Sequence, residues 1–144
     1  MDWTATAIKE LRNYELNRKT IVSLTGRLAM LESSITSPRV SACSAAPVHG
    51  GGNRYEDKLV SYFDSADELK KKIRHVKSCV SAVDAALEAL TPCERKVLGR
   101  FYIHREGDYV GNLCEELHFE RSNIYRIRKI ALQKFIFAMY GITV

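Results

Sequence analysis

Ten apolar residues between Leu59 and Leu90 follow one another at alternating steps of three and four: Leu59, Tyr62, Ala66, Leu69, Ile73, Val76, Val80, Val83, Leu87 and Leu90. A spacing that averages 3.5 and persists this long is the seam of a left-handed coiled coil. One helix cannot bury such a stripe alone, so the segment demands a partner. Residues 5–35 offer one. Ile21, Leu24, Leu28, Leu31 and Ile35 repeat at the same steps, and Ile8, Leu11 and Tyr14 extend the stripe less regularly. Asn17 stands where the next apolar residue is due, a polar insertion that either fixes register or faces solvent. Gly26 weakens helix continuity by about 1 kcal/mol relative to alanine. The economical solution is an all-α start, with residues 5–35 and 57–90 paired as a long antiparallel helical hairpin. The same seam leaves a homodimer through the hairpin, or a larger bundle, open.

Residues 36–56 read T-S-P-R-V-S-A-C-S-A-A-P-V-H-G-G-G-N-R-Y-E, with two of the three prolines and a glycine triplet. That composition predicts a flexible loop. No Lys-Ser/Thr follows the glycines, so they do not form a phosphate-binding loop. Residues 1–90 therefore make one unit, and residues 91–144 a second.

The second unit opens on Thr91-Pro92-Cys93-Glu94, a capping box with proline at the first helical position. Val97, Leu98, Phe101 and Tyr102 give that helix its apolar face. Arg105-Glu106-Gly107-Asp108 is a turn, with Asp108 set to cap a helix over about 109–117. His118-Phe119-Glu120 form a tight turn, and a last helix is expected over 121–139, ending at Gly141. Within it Ile124, Ile127, Ala131 and Phe135 step by three, four and four, which turns them to one buried face. Arg121, Ser122, Tyr125, Arg126 and Lys129 fall on the opposite face. From Arg121 onward there are five basic residues and no Asp or Glu.

A short helix, a tight turn and a basic second helix form the helix-turn-helix layout, whose second helix enters the DNA major groove. The expected contacts are Arg121, Ser122, Asn123, Tyr125, Arg126 and Lys129. Arg126 has the chemistry to pair with guanine and Asn123 with adenine, while Arg121 and Lys129 suit phosphates. Tyr125 suits a thymine methyl or a phosphate.

Net charge is +5 and pI about 9.1, compatible with a polyanionic partner. A separate basic run, Lys70, Lys71, Lys72, Arg74 and Lys77, flanks the seam. It is either a solvated coiled-coil face or an auxiliary nucleic-acid contact. No apolar run approaches ~20 residues, and the N-terminus lacks a signal peptide pattern, which points to a cytoplasmic protein without a membrane partner. Cys43, Cys79, Cys93 and Cys114 contain no C-x-x-C pair and read as packed thiols. A set of Cys93, His104, Cys114 and His118 has the ligand types for zinc, but its gaps fit no zinc module. No metal or cofactor is expected. No nucleophile–base set or carboxylate pair stands out, so the chemistry on offer is binding and the chain reads as not an enzyme.

Leu90-Thr-Pro-Cys-Glu-Arg-Lys-Val-Leu-Gly-Arg-Phe-Tyr102 resembles the helix that opens region 4 of sigma-70-type factors, L-x-x-x-E-R-x-V-L-x-x-x-Y. Glu120-Arg-Ser-Asn-Ile-Tyr-Arg-Ile-Arg-Lys-Ile-Ala-Leu-Gln-Lys-Phe135 resembles the recognition helix of the same module, with Arg121, Ile124, Ile127, Ala131, Leu132 and Lys134 in agreement. The layout of the whole chain is similar to small phage and prophage regulators, described as sigma-factor-like or as relatives of the ArpU and RinA late-transcription activators. Three positions depart from the pattern. Glu120 replaces a Ser or Thr cap, which leaves Ser122 as a substitute start two residues later. His118 replaces the turn glycine, and Tyr109 a polar residue or Trp.

The resemblance implies a sequence-specific transcriptional regulator binding double-stranded DNA, acting beside RNA polymerase. The first 90 residues carry no cluster of exposed aromatics, so a complete sigma factor is not implied. Two other readings stay open. One is a phage DNA-packaging protein of small-terminase type, which also joins helix-turn-helix units to oligomerising helices. The other is a module that grips RNA polymerase or another protein without reading DNA.

Overall fold

The computed structural model describes residues 1–36 and 52–144. All regular structure among them is helical: α1 (Trp3–Thr36), α2 (Gly52–Glu88), α3 (Pro92–Leu98), a π-helical turn (Gly99–Ile103), α4 (Tyr109–Leu117) and α5 (Arg121–Tyr140). None of the described helices is long and apolar enough to cross a membrane. The chain divides into two compact units, one of Met1–Arg18 with Ser78–Val144, the other Lys19–Lys77.

The first unit is built on two apolar clusters. Ala7 and Leu11, one helical turn apart on α1, are fully buried against Val83 and Leu87 of α2, Leu90 just beyond its end, Leu98 of α3, and Ala131, Phe135 and Ile136 of α5. Trp3 and Tyr140 pack ring to ring at its edge, 5.0 Å between centroids. The second cluster joins Val97 and Phe101 to Val110 and Leu113 of α4 and to Ile124 of α5. Packing therefore ties residues 1–18 and 78–90 to residues 91–144, and the division does not fall between residues 90 and 91. The physical reason is that Ala7, Leu11, Val83 and Leu87 bury the same faces of α3 and α5 that make those helices amphipathic.

The helix ends follow local chemistry. Asp2 caps α1, its carboxylate accepting from the Ala5 N–H at 3.1 Å. At the head of α3 the capping box closes as the sequence predicts: Thr91 Oγ1 accepts from the Glu94 N–H at 3.3 Å, and Glu94 Oε2 accepts from the Thr91 N–H at 3.1 Å. Arg95 reaches back from α3, with Nε donating to the Leu87 carbonyl at 3.1 Å and Nη2 to that of Leu90 at 3.4 Å. It thereby adds a donor to the Leu87 carbonyl, which also accepts from the Leu90 N–H at 3.1 Å, and supplies one to the Leu90 carbonyl at the end of α2. Thr91→Ala should cost about 1 kcal/mol, read as a lower urea midpoint. An unmoved midpoint would show that Pro92 and Arg95 alone set this helix start.

One expectation needs correction. The loop placed over 36–56 is too long, because Thr36 is the last residue of α1 and residues 52–56 already belong to α2. Gly52 and Asn53 look like loop residues, yet the first turn of a helix needs no apolar periodicity and tolerates both types. The rest of that loop, residues 37–51, lies outside the described residues. The last helix starts where the expected 121–139 span begins, and the substitute start at Ser122 is not used. It starts at Arg121, with Glu120 at the cap position making no side-chain hydrogen bond.

In the second unit, Leu31 and Ile35 line a cleft with Leu59 and Tyr62, Leu24 and Leu31 line one with Leu69, and Leu28 lines one with Ile73. Here Ala66 and Ile73 are buried, while Leu59, Tyr62, Leu69 and Val76 stay half-buried. Two helices cover each other's stripe from one side only. Val83, Leu87 and Leu90, in the first unit, are buried because α5 joins the same cluster.

Candidate nucleic-acid interface

Three elements hold α5 in place. Ile124, Ala131, Leu132, Phe135 and Ile136 turn its inner face into the two clusters. Lys134 donates from Nζ to Glu94 Oε1 at 2.6 Å, tying α5 to α3. Glu116 of α4 receives Lys96 at 2.7 Å and Arg100 at 3.1 Å, tying α4 to α3 and the π-helical turn.

Both carboxylates answer to these cations. Burial pushes the Glu94 carboxyl up, but the hydrogen bonds from Lys134 and from the Thr91 N–H outweigh it and leave its pKa lowered. For Glu116 the Lys96 hydrogen bond is the largest influence and lowers its pKa. A depressed carboxylate contributes stability above its unfolded pKa, and that contribution is lost as pH falls through the folded value. Glu94→Gln should therefore destabilise the protein by about 1–2 kcal/mol at neutral pH. Below the ordinary value of 4.5 the difference from the parent should shrink toward nothing, as followed by denaturant unfolding at several pH values. A difference independent of pH would mean that shape rather than charge matters at this position.

The entry to α5 is a short corner. Asp108 caps α4 through a 3.1 Å bond from the Gly111 N–H, and a Cβ on Gly111 would stand 2.2 Å from Asp108 Oδ2. That explains a glycine inside α4: it leaves room for the cap. His118 ends α4 in the left-handed conformation, φ 56°, the one non-glycine residue with positive φ among those described. Histidine at the expected glycine position thus adopts the glycine-like turn, a conformation open to it at modest cost.

Of the six predicted contact residues, Arg121, Ser122, Tyr125, Arg126 and Lys129 are exposed on α5, and Asn123 is half-buried. Ser122 and Lys129 are exposed to solvent and form no ion pair or side-chain hydrogen bond among the described residues. Arg121 lies 3.8 Å from Asp108, with both side chains largely exposed, a pairing too loose to hold it. Asn123 differs from expectation. Its Oδ1 accepts from Arg126 Nε at 3.2 Å and Nη2 at 2.9 Å. Bidentate adenine reading would need that same oxygen as an acceptor for the base amine. The geometry instead makes Asn123 the group that orients Arg126, with the Nη1 end of the guanidinium left open.

Tyr125 is 44% exposed, with its ring edge-on to Phe101 at 5.8 Å. Sequence reasoning missed its neighbour Arg128, whose guanidinium lies over both the Phe101 ring (5.3 Å) and the Tyr125 ring (5.4 Å). It also missed Arg105, stacked over Tyr109 at 5.0 Å. Spacing of three from Tyr125 to Arg128 and four from Arg105 to Tyr109 was the available signal. Cys93, His104, Cys114 and His118 form no metal-binding group among the described residues.

Comparison with known proteins finds no matching family profile, no matching curated protein and no matching solved structure.

Proposed function

We propose that this protein is a sequence-specific DNA-binding transcriptional regulator of phage or prophage type, acting in the cytoplasm beside RNA polymerase. In this reading α4 and α5 form a helix-turn-helix of sigma-70 region 4 type, and α1 and α2 an antiparallel helical hairpin. One observation carries it: the outer face of α5 is cationic and exposed, on a helix without a single carboxylate, while its inner face is locked into two cores. The left-handed His118 corner supports it, because a tight turn lets a second helix project from the first. Arg126, oriented by Asn123, is the base-reading residue, and Arg121, Lys129 and Arg128 are placed to hold phosphates.

The test is selection of bound sequences from a random duplex pool by the purified protein. Enrichment of one motif supports the reading. Recovery of unenriched DNA reduces it to non-specific binding. No recovery, with RNA polymerase retained in a pull-down, favours the protein-contact reading. A ring-shaped oligomer in solution favours the packaging reading.

A further inference from the structure

In the second unit, the stretch of α1 from Lys19 to Leu31 contains no Asp or Glu, and neither does the stretch of α2 from Leu69 to Lys77. Coiled-coil flanks ordinarily carry both signs, so that charges pair along and across the helices. These two stretches carry seven Lys and Arg instead: Lys19, Arg27, Lys70, Lys71, Lys72, Arg74 and Lys77. The stretches face each other. Thr25 and Leu28 of α1 line one cleft of about 400 Å³ with Lys70, Ile73, Arg74 and Lys77 of α2. No carboxylate lines it. Glu68 lies with Arg27 and Lys72 along a different cleft. The five cations from Lys70 to Lys77 are exposed, and none makes an ion pair among the described residues. Lys70, Arg74 and Lys77 are spaced by four and three, so they stand in a row and repel one another.

We propose that this row is a second DNA contact, one that grips the phosphate backbone without reading bases. It rests on the reading above only for the choice of DNA as the polyanion. The row spans on the order of 10 Å along the helix, comparable with about three charges of one strand at ~3.4 Å each. The cleft floor, Ile73, is buried and brings no aromatic anchor of the kind that fixes a peptide. The cations also fan onto both flanks of the seam, which suits charges spread along a backbone better than one bound segment.

The test compares the full-length parent with the triple variant Lys70→Gln, Arg74→Gln, Lys77→Gln. Binding to the selected duplex and to random duplex is measured over a salt series, alongside Arg126→Ala. Glutamine keeps a similar helix propensity at these exposed positions, and matching thermal melts confirm that the fold survives. The triple variant should flatten the slope of log K against log salt by about 2 to 3 units on both DNAs and leave the preference between them unchanged. If that happens while Arg126→Ala changes nothing, the cationic row stands and base reading by α5 falls. If Arg126→Ala erodes the preference while the triple variant keeps the parental slope, the row is not a phosphate contact. Parental slope together with loss of polyglutamate binding would assign the surface to an acidic protein segment instead. A parent that binds no duplex at all overturns both proposals.

Discussion

Leu87→Asp is expected to remove most of the stability of the first unit. Leu87 is buried in the cluster that joins α1, α2, α3 and α5. Aspartate there loses the apolar contacts and buries a carboxylate with no charge partner, a combination that costs several kcal/mol. Against a total of roughly 5–15 kcal/mol for a typical domain, that approaches global unfolding. Two companion substitutions make the result diagnostic. Val80→Asp should cost less, because Val80 is half-buried, and Val22→Asp should stay within about 0.5 kcal/mol, because Val22 is 73% exposed. Equal melting temperatures for all three would mean that the α2 seam is not the core described here.

The graded burial of that seam shows what a sequence pattern carries and what it omits. Spacing by three and four identified most of the buried stripe but missed Ala86, which is 2% exposed and falls one residue before Leu87. Whether a position is buried or half-covered depends on how many helices reach it. Leu69 and Leu87 look alike in sequence, and only the structure reveals that Leu69 stays half-buried while α5 helps to cover Leu87. The Thr91 capping box was legible because all its partners lie within four residues. The π-helical turn was not, because Val97, Leu98, Phe101 and Tyr102 suit an α-helix equally well. Nothing local announces that the His104 N–H will bond the Gly99 carbonyl, at 2.7 Å. The outward face of α5 was legible as a face, but the hydrogen bonds that sort Asn123 from Arg126 were not. Both residues have donors to spare, and the choice between base and neighbour is made in three dimensions.

The second large effect is on binding. Arg126→Ala should cost roughly 1–3 kcal/mol on the selected site and little on random DNA, because a guanidinium paired with a guanine edge discriminates between bases. Lys129→Ala should weaken both DNAs alike and lower the salt slope by about one unit, since a phosphate contact carries no sequence information. Asn123→Ala supplies the sharper comparison. With Nε and Nη2 released, Arg126 samples more rotamers, so preference should fall in the same direction as for Arg126→Ala but less far. The double substitution should then cost no more than Arg126→Ala alone. Full additivity would show that Asn123 touches the DNA on its own account. Unchanged binding by all three variants would end the case for base reading by this helix.

The cluster that joins Ala7 and Leu11 to Phe135 and Ile136 has a consequence for how the chain matures. Its first and last members are separated by more than 120 positions, so the ribosome releases one face of this core long before the other exists. Until the segment around Phe135 emerges, Leu11, Val83, Leu87 and Leu98 lack their principal cover, and the nascent chain presents them to solvent or to chaperones. Cooperative closure of the first unit must then wait until the segment around Phe135 and Ile136 has emerged. The cationic outer face of α5 is ordered by that same closure, so it is not held in place until both ends of the cluster have been made.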